Sequence, residues 1–330
     1  MLKFFRGAGP GEVLFLLVVA GGVWLNSFIN PHLAPSFHYE TYPMPLYGLL
    51  QTLFGGSAIL GVIFSFVLLL FVSFLIVNFN TSQFFINERT FLPAAIYLLF
   101  SGLFPQYQVL NPVLPASVFL ILAIRRIVDS YRKPGTAYNF FDASLLIGVG
   151  SLFYANLVWF GVLAFIGIAI LRTWNIKEFV ISLIGLITPA LFTIGFYYVT
   201  GRDILSLTDI LYYNLFAETG EYNLSGIVFG VLAPAGVILL IGLFYLLSQL
   251  NTKKIKAGKT FSLLIWALVI SCTVYFLVPA ASFELIIIAS VPISYILAHY
   301  FIFRRKKLLP EIFFAALFLI VIFMQVWYLR

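Results

Sequence analysis

The stretch NPHLAPSFHYETYPMP, residues 30–45, lies between two apolar runs and holds two of the chain's three histidines and a single carboxylate, Glu40, beside His38 and Tyr39. A carboxylate fixed next to a membrane can act as a general base toward a hydroxyl if it reaches the proton within hydrogen-bond distance. Pro31, Pro35, Pro43 and Pro45 fix φ on both sides of it and lower the entropy of holding one geometry. Glu40 is therefore the catalytic candidate, with His38 and Tyr39 as substrate-orienting neighbours. The same residue types also suit an ordinary surface loop, because amphipathic rings gather at membrane interfaces.

A second polar stretch, TGRDILSLTDILYYNLFAETGEYNLS, opens with Arg202 and Asp203. A guanidinium can grip a phosphate through two parallel hydrogen bonds; the alternative for Arg202 is an ion pair with Asp203 or Glu221. Ile204, Leu207, Leu211 and Leu215 recur at helical spacing while Asp209 and Tyr212 fall off that stripe, the pattern of a helix lying on a membrane surface. Soluble-enzyme motifs such as G-x-S-x-G, H-E-x-x-H, a phosphate-binding loop or a dinucleotide fingerprint do not occur. The lone Cys272 rules out an intrachain disulfide and a cysteine-held cluster. No metal and no cofactor is expected.

The elements that must carry these residues are membrane spans. With 62% hydrophobic and only 9% charged residues, the 330-residue chain cannot coat a water-soluble globule. Crossing a bilayer core of about 30 Å takes roughly 20 helical residues. Runs 13–28, 59–77, 179–199, 227–247, 261–277, 285–303 and 312–328 meet or approach that length. The opening MLKFFRGAGPGEVLFLLVVAGGVWLNS has a basic start but no small-residue cleavage site, and is read as a retained anchor. Regions 92–127 and 143–171 are interrupted, the first by Pro105, Pro112 and Pro115, the second by Gly148, Gly150 and Asn156.

Charge resolves the interrupted regions, because Lys and Arg concentrate on the cytoplasmic side. Reading each as a hairpin of two short arms places all but two of the 19 basic residues inside, leaving Arg202 and Arg330 out. The expected architecture is thus all-α and polytopic, with about eleven transmembrane segments including two short helical hairpins, amino terminus cytoplasmic and carboxyl terminus periplasmic. Hairpin arms of about 14 residues, roughly 21 Å at helical rise, fall short of the bilayer core and imply a sheltered cavity. The net charge of +7 is explained by this topology, not by nucleic acid. KKIKAGK and RRKK enforce the orientation and touch anionic headgroups. Among the outer acids, Glu284 stands at the mouth of a span.

The order of pieces, with NERTFLPAAIYLLFSGLFPQY, an inner basic loop, and FFDASLLIGVGSLFYANLVWFGVLAFIGIAILR, resembles the C-type (GT-C fold) membrane glycosyltransferases over roughly residues 10–200. It also resembles an uncharacterised family of bacterial inner-membrane proteins. The GT-C resemblance implies a core at 1–200 with the outer loop 30–46, an outer loop with an interfacial helix at 201–225, and a C-terminal bundle at 226–330. It implies a polyprenyl-phosphate sugar donor, mannose or a relative, and an extracytoplasmic protein or glycan acceptor, with membrane lipids as surroundings. Glu40 then takes the acceptor proton in a single inverting displacement, and Arg202 holds the departing phosphate. Where that family often carries Asp or Asp-Glu, this loop has one Glu. A lipid-linked-glycan transporter and a non-catalytic GT-C-like scaffold are the competing classes.

Overall fold

The computed structural model describes residues 5, 7, 9–31, 37–132, 137–172, 176–218, 226–304 and 308–328. The chain folds into α1 (Pro10–Ile29), the single turn α2 (His38–Thr41), α3 (Pro45–Phe54), α4 (Ala58–Gln83), α5 (Leu92–Ser101), α6 (Val113–Asp129) and α7 (Ala137–Ser151). It continues through α8 (Val162–Leu171), α9 (Ile176–Val199), α10 (Ile204–Phe216), α11 (Gly226–Gln249), α12 (Ile255–Leu277), α13 (Leu285–Phe303) and α14 (Leu308–Trp327). No strand occurs among the described residues. Helices α1, α4, α9, α11, α12, α13 and α14 are long and apolar enough to cross a membrane. The protein is polytopic and all-helical, and its apolar exterior is what a lipid solvent tolerates.

Both interrupted regions form helical hairpins, α5 with α6 and α7 with α8, joined by 3-10 turns at Pro105–Tyr107 and Ala155–Gly161. Their arms are unequal, 10 and 17 residues in the first and 15 and 10 in the second. The irregular backbone at the first tip is satisfied by side chains. The Asn111 amide donates to the Tyr107 carbonyl at 2.7 Å, and its oxygen accepts from Val113 and Leu114 at 3.1 and 3.0 Å. Ser65 and Tyr47 donate to the carbonyls of Val109 and Leu110 at 2.9 and 3.1 Å, and Gln325 to that of Gly102 at 3.0 Å. Buried carbonyls left unmet would each cost about 1–3 kcal/mol, so the tip is built as much by α3, α4 and α14 as by itself.

Basic loops meet at one end. Gln83 accepts from Lys256 Nζ at 2.7 Å and donates to Asp129 at 2.8 Å, and Lys259 stands over the Tyr131 ring. The hairpin tips and the turn before α13 lie at the opposite end. Lys3, Arg6, Lys133, Arg305, Lys306, Lys307 and Arg330 lie outside the described residues. Helix α13 is the axis of the bundle, with 89% of its apolar window buried, packed against α5, α6, α11 and α12.

Helices α7 and α9 touch backbone to backbone. A Cβ on Gly185 would stand 2.5 Å from the Phe141 carbonyl oxygen, and one on Gly148 2.7 Å from that of Leu186. Gly185→Val should therefore lower the melting temperature of the purified protein, with an overpacking cost of about 1–3 kcal/mol. Gly195→Val, on the same helix with open space around it, gains the same helix propensity without the clash and should leave the melting temperature unchanged or higher. Equal behaviour of the two variants would contradict the close approach.

Candidate functional site

The first loop re-enters as α2, whose only turn is closed by Glu40. The Phe37 amide donates to Glu40 Oε2 at 3.4 Å, and the Glu40 amide donates to the Phe37 carbonyl at 2.9 Å. The carboxyl is half-buried in the wall of a cavity of about 290 Å3, together with Tyr47, Gln51, Ser57, Gly61 and Leu110. Burial pushes its pKa above the usual carboxylate range, partly offset by the hydrogen bond from the Phe37 amide. A raised pKa makes Glu40 a stronger base than a free carboxylate. Met44 and Tyr47 are buried beneath it, and Leu46 anchors the loop by donating its amide to the Leu152 carbonyl of the second hairpin at 3.0 Å.

Behind this wall lies a second carboxyl, Glu284, only 2% exposed on the turn that starts α13. Its Oε1 accepts from the Tyr154 hydroxyl at 3.0 Å and the Ser282 amide at 3.1 Å, and the Tyr107 hydroxyl is a further partner. The Asn156 amide donates to the Tyr154 oxygen at 3.4 Å. Both hairpin tips thus converge on one carboxylate. Complete burial nevertheless drives the Glu284 pKa upward against those hydrogen bonds. Three buried polar atoms here have no partner: Glu284 Oε2, Asn156 Oδ1 and the Tyr39 hydroxyl. Tyr39, 5% exposed, is within electrostatic reach of both acids, whose charges add to the burial that raises its phenol. Clustered orphans of this kind are groups that a polyhydroxylated ligand or ordered water would satisfy.

Helix α10 forms the lid of the loop. Leu207 is buried, Leu211 and Leu215 pack on the cluster around Tyr39 and Tyr47, and Asp209 and Tyr212 face outward, whereas Ile204, the first member of the expected stripe, is exposed in the opening turn. The His38 ring stacks on Tyr213 with centroids 4.2 Å apart, and its Nε2–H donates to the Tyr213 carbonyl at 3.3 Å. Burial lowers the His38 pKa and favours this neutral, donating form. The Asn214 amide donates to the Tyr42 carbonyl at 2.7 Å.

The structure gathers His38, Tyr39 and Glu40 at one place, and sets Arg202 and Asp203 apart from it. Asp203 is the N-cap of α10, accepting from the Leu205 amide at 2.9 Å. Arg202 is exposed, its guanidinium 5.7 Å from the Tyr197 ring centroid and 6.0 Å from that of Phe196, with no ion pair to Asp203. Neither residue lines the Glu40 cavity. Ile204 and Tyr213 are nine residues apart, about 14 Å of helix at 1.5 Å per residue. Glu221 and Pro35 lie outside the described residues. Tyr47, Tyr107, Tyr154 and Asn156 carried no functional assignment from sequence. The readable signal was Glu284 itself, a lone acid directly before an unbroken apolar run.

Fold and site together define a polytopic helical membrane protein with a buried carboxylate cluster at one mouth of the bundle. The chain belongs to a family of unknown function (DUF6427), which it matches over residues 46–330, a span that takes in Glu284 and both hairpins and starts after Glu40. No curated protein and no solved structure matches the chain.

The raised pKa of Glu284 sets a sign for stability. A carboxyl that binds its proton more tightly folded than unfolded contributes stability that is complete below the unfolded pKa and is lost as pH rises through the folded value. Glu284→Gln mimics the protonated form, so the melting temperature of the wild type minus that of this variant should fall as pH is raised from about 4.5. A difference independent of pH between 4 and 8, measured in one detergent at constant ionic strength, would show that the carboxyl is not held in this environment.

Proposed function

We propose that the protein is a GT-C-like membrane glycosyltransferase that moves a sugar from a polyprenyl-phosphate donor to an acceptor hydroxyl at the face of the hairpin tips. The observation that carries this reading is the Glu40 carboxyl, half-buried in a cavity wall with its pKa pushed upward. The seven long helices and the four hairpin arms count as eleven membrane segments, with the basic end cytoplasmic. Glu40 removes the acceptor proton as the acceptor oxygen attacks the anomeric carbon, and the polyprenyl phosphate departs already ionised, so no general acid is needed. Tyr47, Gln51 and Ser57 line the same cavity and offer hydrogen bonds to sugar hydroxyls.

An apolar groove of about 470 Å3, lined by Trp159, Ile166, Leu215, Phe216, Trp266 and neighbours, runs beside the end of α10 and suits an isoprenoid chain. Arg202 lies outside the Glu40 cavity, too far away to hold a phosphate that is bonded to the carbon under attack there, and takes no part in this step. One observation favours a lipid-linked-glycan transporter instead: besides the Glu40 cavity, a larger one stands at the opposite, basic end by His299 of α13.

The test is release of polyprenyl phosphate from polyprenyl-phosphate mannose by purified protein, with a membrane glycan extract as acceptor. Glu40→Gln keeps size and polarity but cannot take a proton, and should reduce release by about 10²–10⁴-fold with unchanged melting temperature. Equal release by the wild type and the variant removes Glu40 as base. No release by the wild type, with donor crossing vesicles only when the protein is present, decides for transport.

A further inference from the structure

A cavity of about 750 Å3 lies at the basic end of α13 and is independent of the transferase reading. Lys253, Lys254, Arg304, His299, Tyr245 and Phe303 line it, and no Asp or Glu does. Its cations rest on rings in place of carboxylates. Lys253 Nζ stands 4.9 Å from the Phe303 centroid and 5.4 Å from that of Phe261, and the Arg304 guanidinium 5.5 Å from Tyr245. The Tyr245 hydroxyl donates to the Phe303 carbonyl at 3.0 Å and holds that ring in place. A ring face attracts a cation but leaves its N–H donors free for an anion.

Helix C-termini could account for some of this charge. Helices α4, α11 and α13 all end near the cavity, and each end is equivalent to about half a negative charge. Three half charges do not offset three full ones. Nor do they answer His299, which is 1% exposed, lines the cavity, and has an Nδ1 without a hydrogen-bond partner. Helix α12 begins at the same place with no side-chain cap on its first turn, adding the end of a helix that favours anions. Burial without a carboxylate partner also lowers the Lys253 pKa, a cost that a bound anion would reverse.

We propose that this cavity binds a phosphate group, with Lys253 and Arg304 supplying charge-assisted hydrogen bonds, His299 Nδ1–H a neutral one, and the aromatic wall covering an apolar remainder. A lipid headgroup of the adjoining leaflet and a soluble phosphate compound bring the same oxygens. This goes beyond diffuse attraction of basic loops to an anionic surface, because the ligand is held by a buried imidazole and a formed cavity.

The experiment uses the full chain in phosphate-free detergent, titrated calorimetrically with dihexanoyl phosphatidic acid, inorganic phosphate and, as a phosphate-free control, dihexanoylglycerol. Saturable one-site binding of phosphatidic acid is expected, weakened about tenfold in Lys253→Gln and in Arg304→Gln, both half-exposed positions whose variants should keep the wild-type melting temperature. If one variant fails to fold, the other decides. Weaker but competing inorganic phosphate assigns the natural source to a lipid; inorganic phosphate as tight as phosphatidic acid assigns it to a soluble compound. Either result supports the phosphate site. Absence of saturable binding, binding unchanged in the folded variants, or equal binding of dihexanoylglycerol overturns it and leaves the cations serving helix ends and topology.

Discussion

A carboxylate buried at a membrane's edge governs this architecture. Taking Glu284 out of water costs several kcal/mol that hydrogen-bond donors must offset, and those donors come from Tyr154 and Tyr107, at the tips of two separate hairpins, and from the Ser282 amide, leaving Oε2 unmet. To bring those hydroxyls there, both hairpins must stop short, and their tips must be irregular. The irregular backbone in turn needs Asn111, Ser65, Tyr47 and Gln325 to satisfy it, which draws in α3, α4 and α14. One desolvated group thus fixes where five parts of the chain meet. The first loop completes the site by packing Tyr39 and Tyr47 against the tip residues Leu110 and Ala155.

Helix α13 extends this constraint through the bilayer. It is covered on nearly all sides, so the apolar side chains along it face protein, and the long helices around it turn their other faces to lipid. Its acid and its imidazole stand toward its ends, Glu284 at one mouth and His299 near the other, while Ser290, Ser294 and Tyr295 between them bond to backbone carbonyls. The surroundings of the two ends differ in kind: carboxyls and hydroxyls at the tip end, and at the basic end a cavity lined by ammonium and guanidinium groups. That division follows the retention of Lys and Arg on one side of a membrane, and it puts two chemically distinct ligand environments on one rigid element.

Much of the fold was legible because the bilayer imposes a length. The seven long helices fall on the apolar runs, and the prolines and glycines of 92–127 and 143–171, read with the basic loops, indicate hairpins. Arm lengths were not legible, since a 3-10 turn such as Ala155–Gly161 consumes residues that hydropathy counts as span. The site was half legible. Glu40, His38 and Tyr39 cluster because they are neighbours in sequence. Arg202 was grouped with them by membrane side alone, and side does not set lateral position: the length of α10 separates it from the loop that His38 anchors. Glu284 could be noticed but not weighed, because its hydroxyl partner Tyr154 is 130 residues away and a single sequence gives no sign of the pairing.

The central claim is that Glu284 binds the hairpin tips, and a double-mutant cycle between Glu284→Gln and Tyr154→Phe measures it directly. Reversible unfolding in one detergent, at a pH where the wild-type carboxyl is ionised, yields the stabilities of wild type, both single variants and the double variant. Strong non-additivity is expected, with a coupling of about 1.5–3 kcal/mol, the range for a hydrogen bond to a charged group. Additive effects, agreeing within about 0.5 kcal/mol, would mean that the carboxyl and the phenol do not meet and that the convergence of the two tips on Glu284 is wrong.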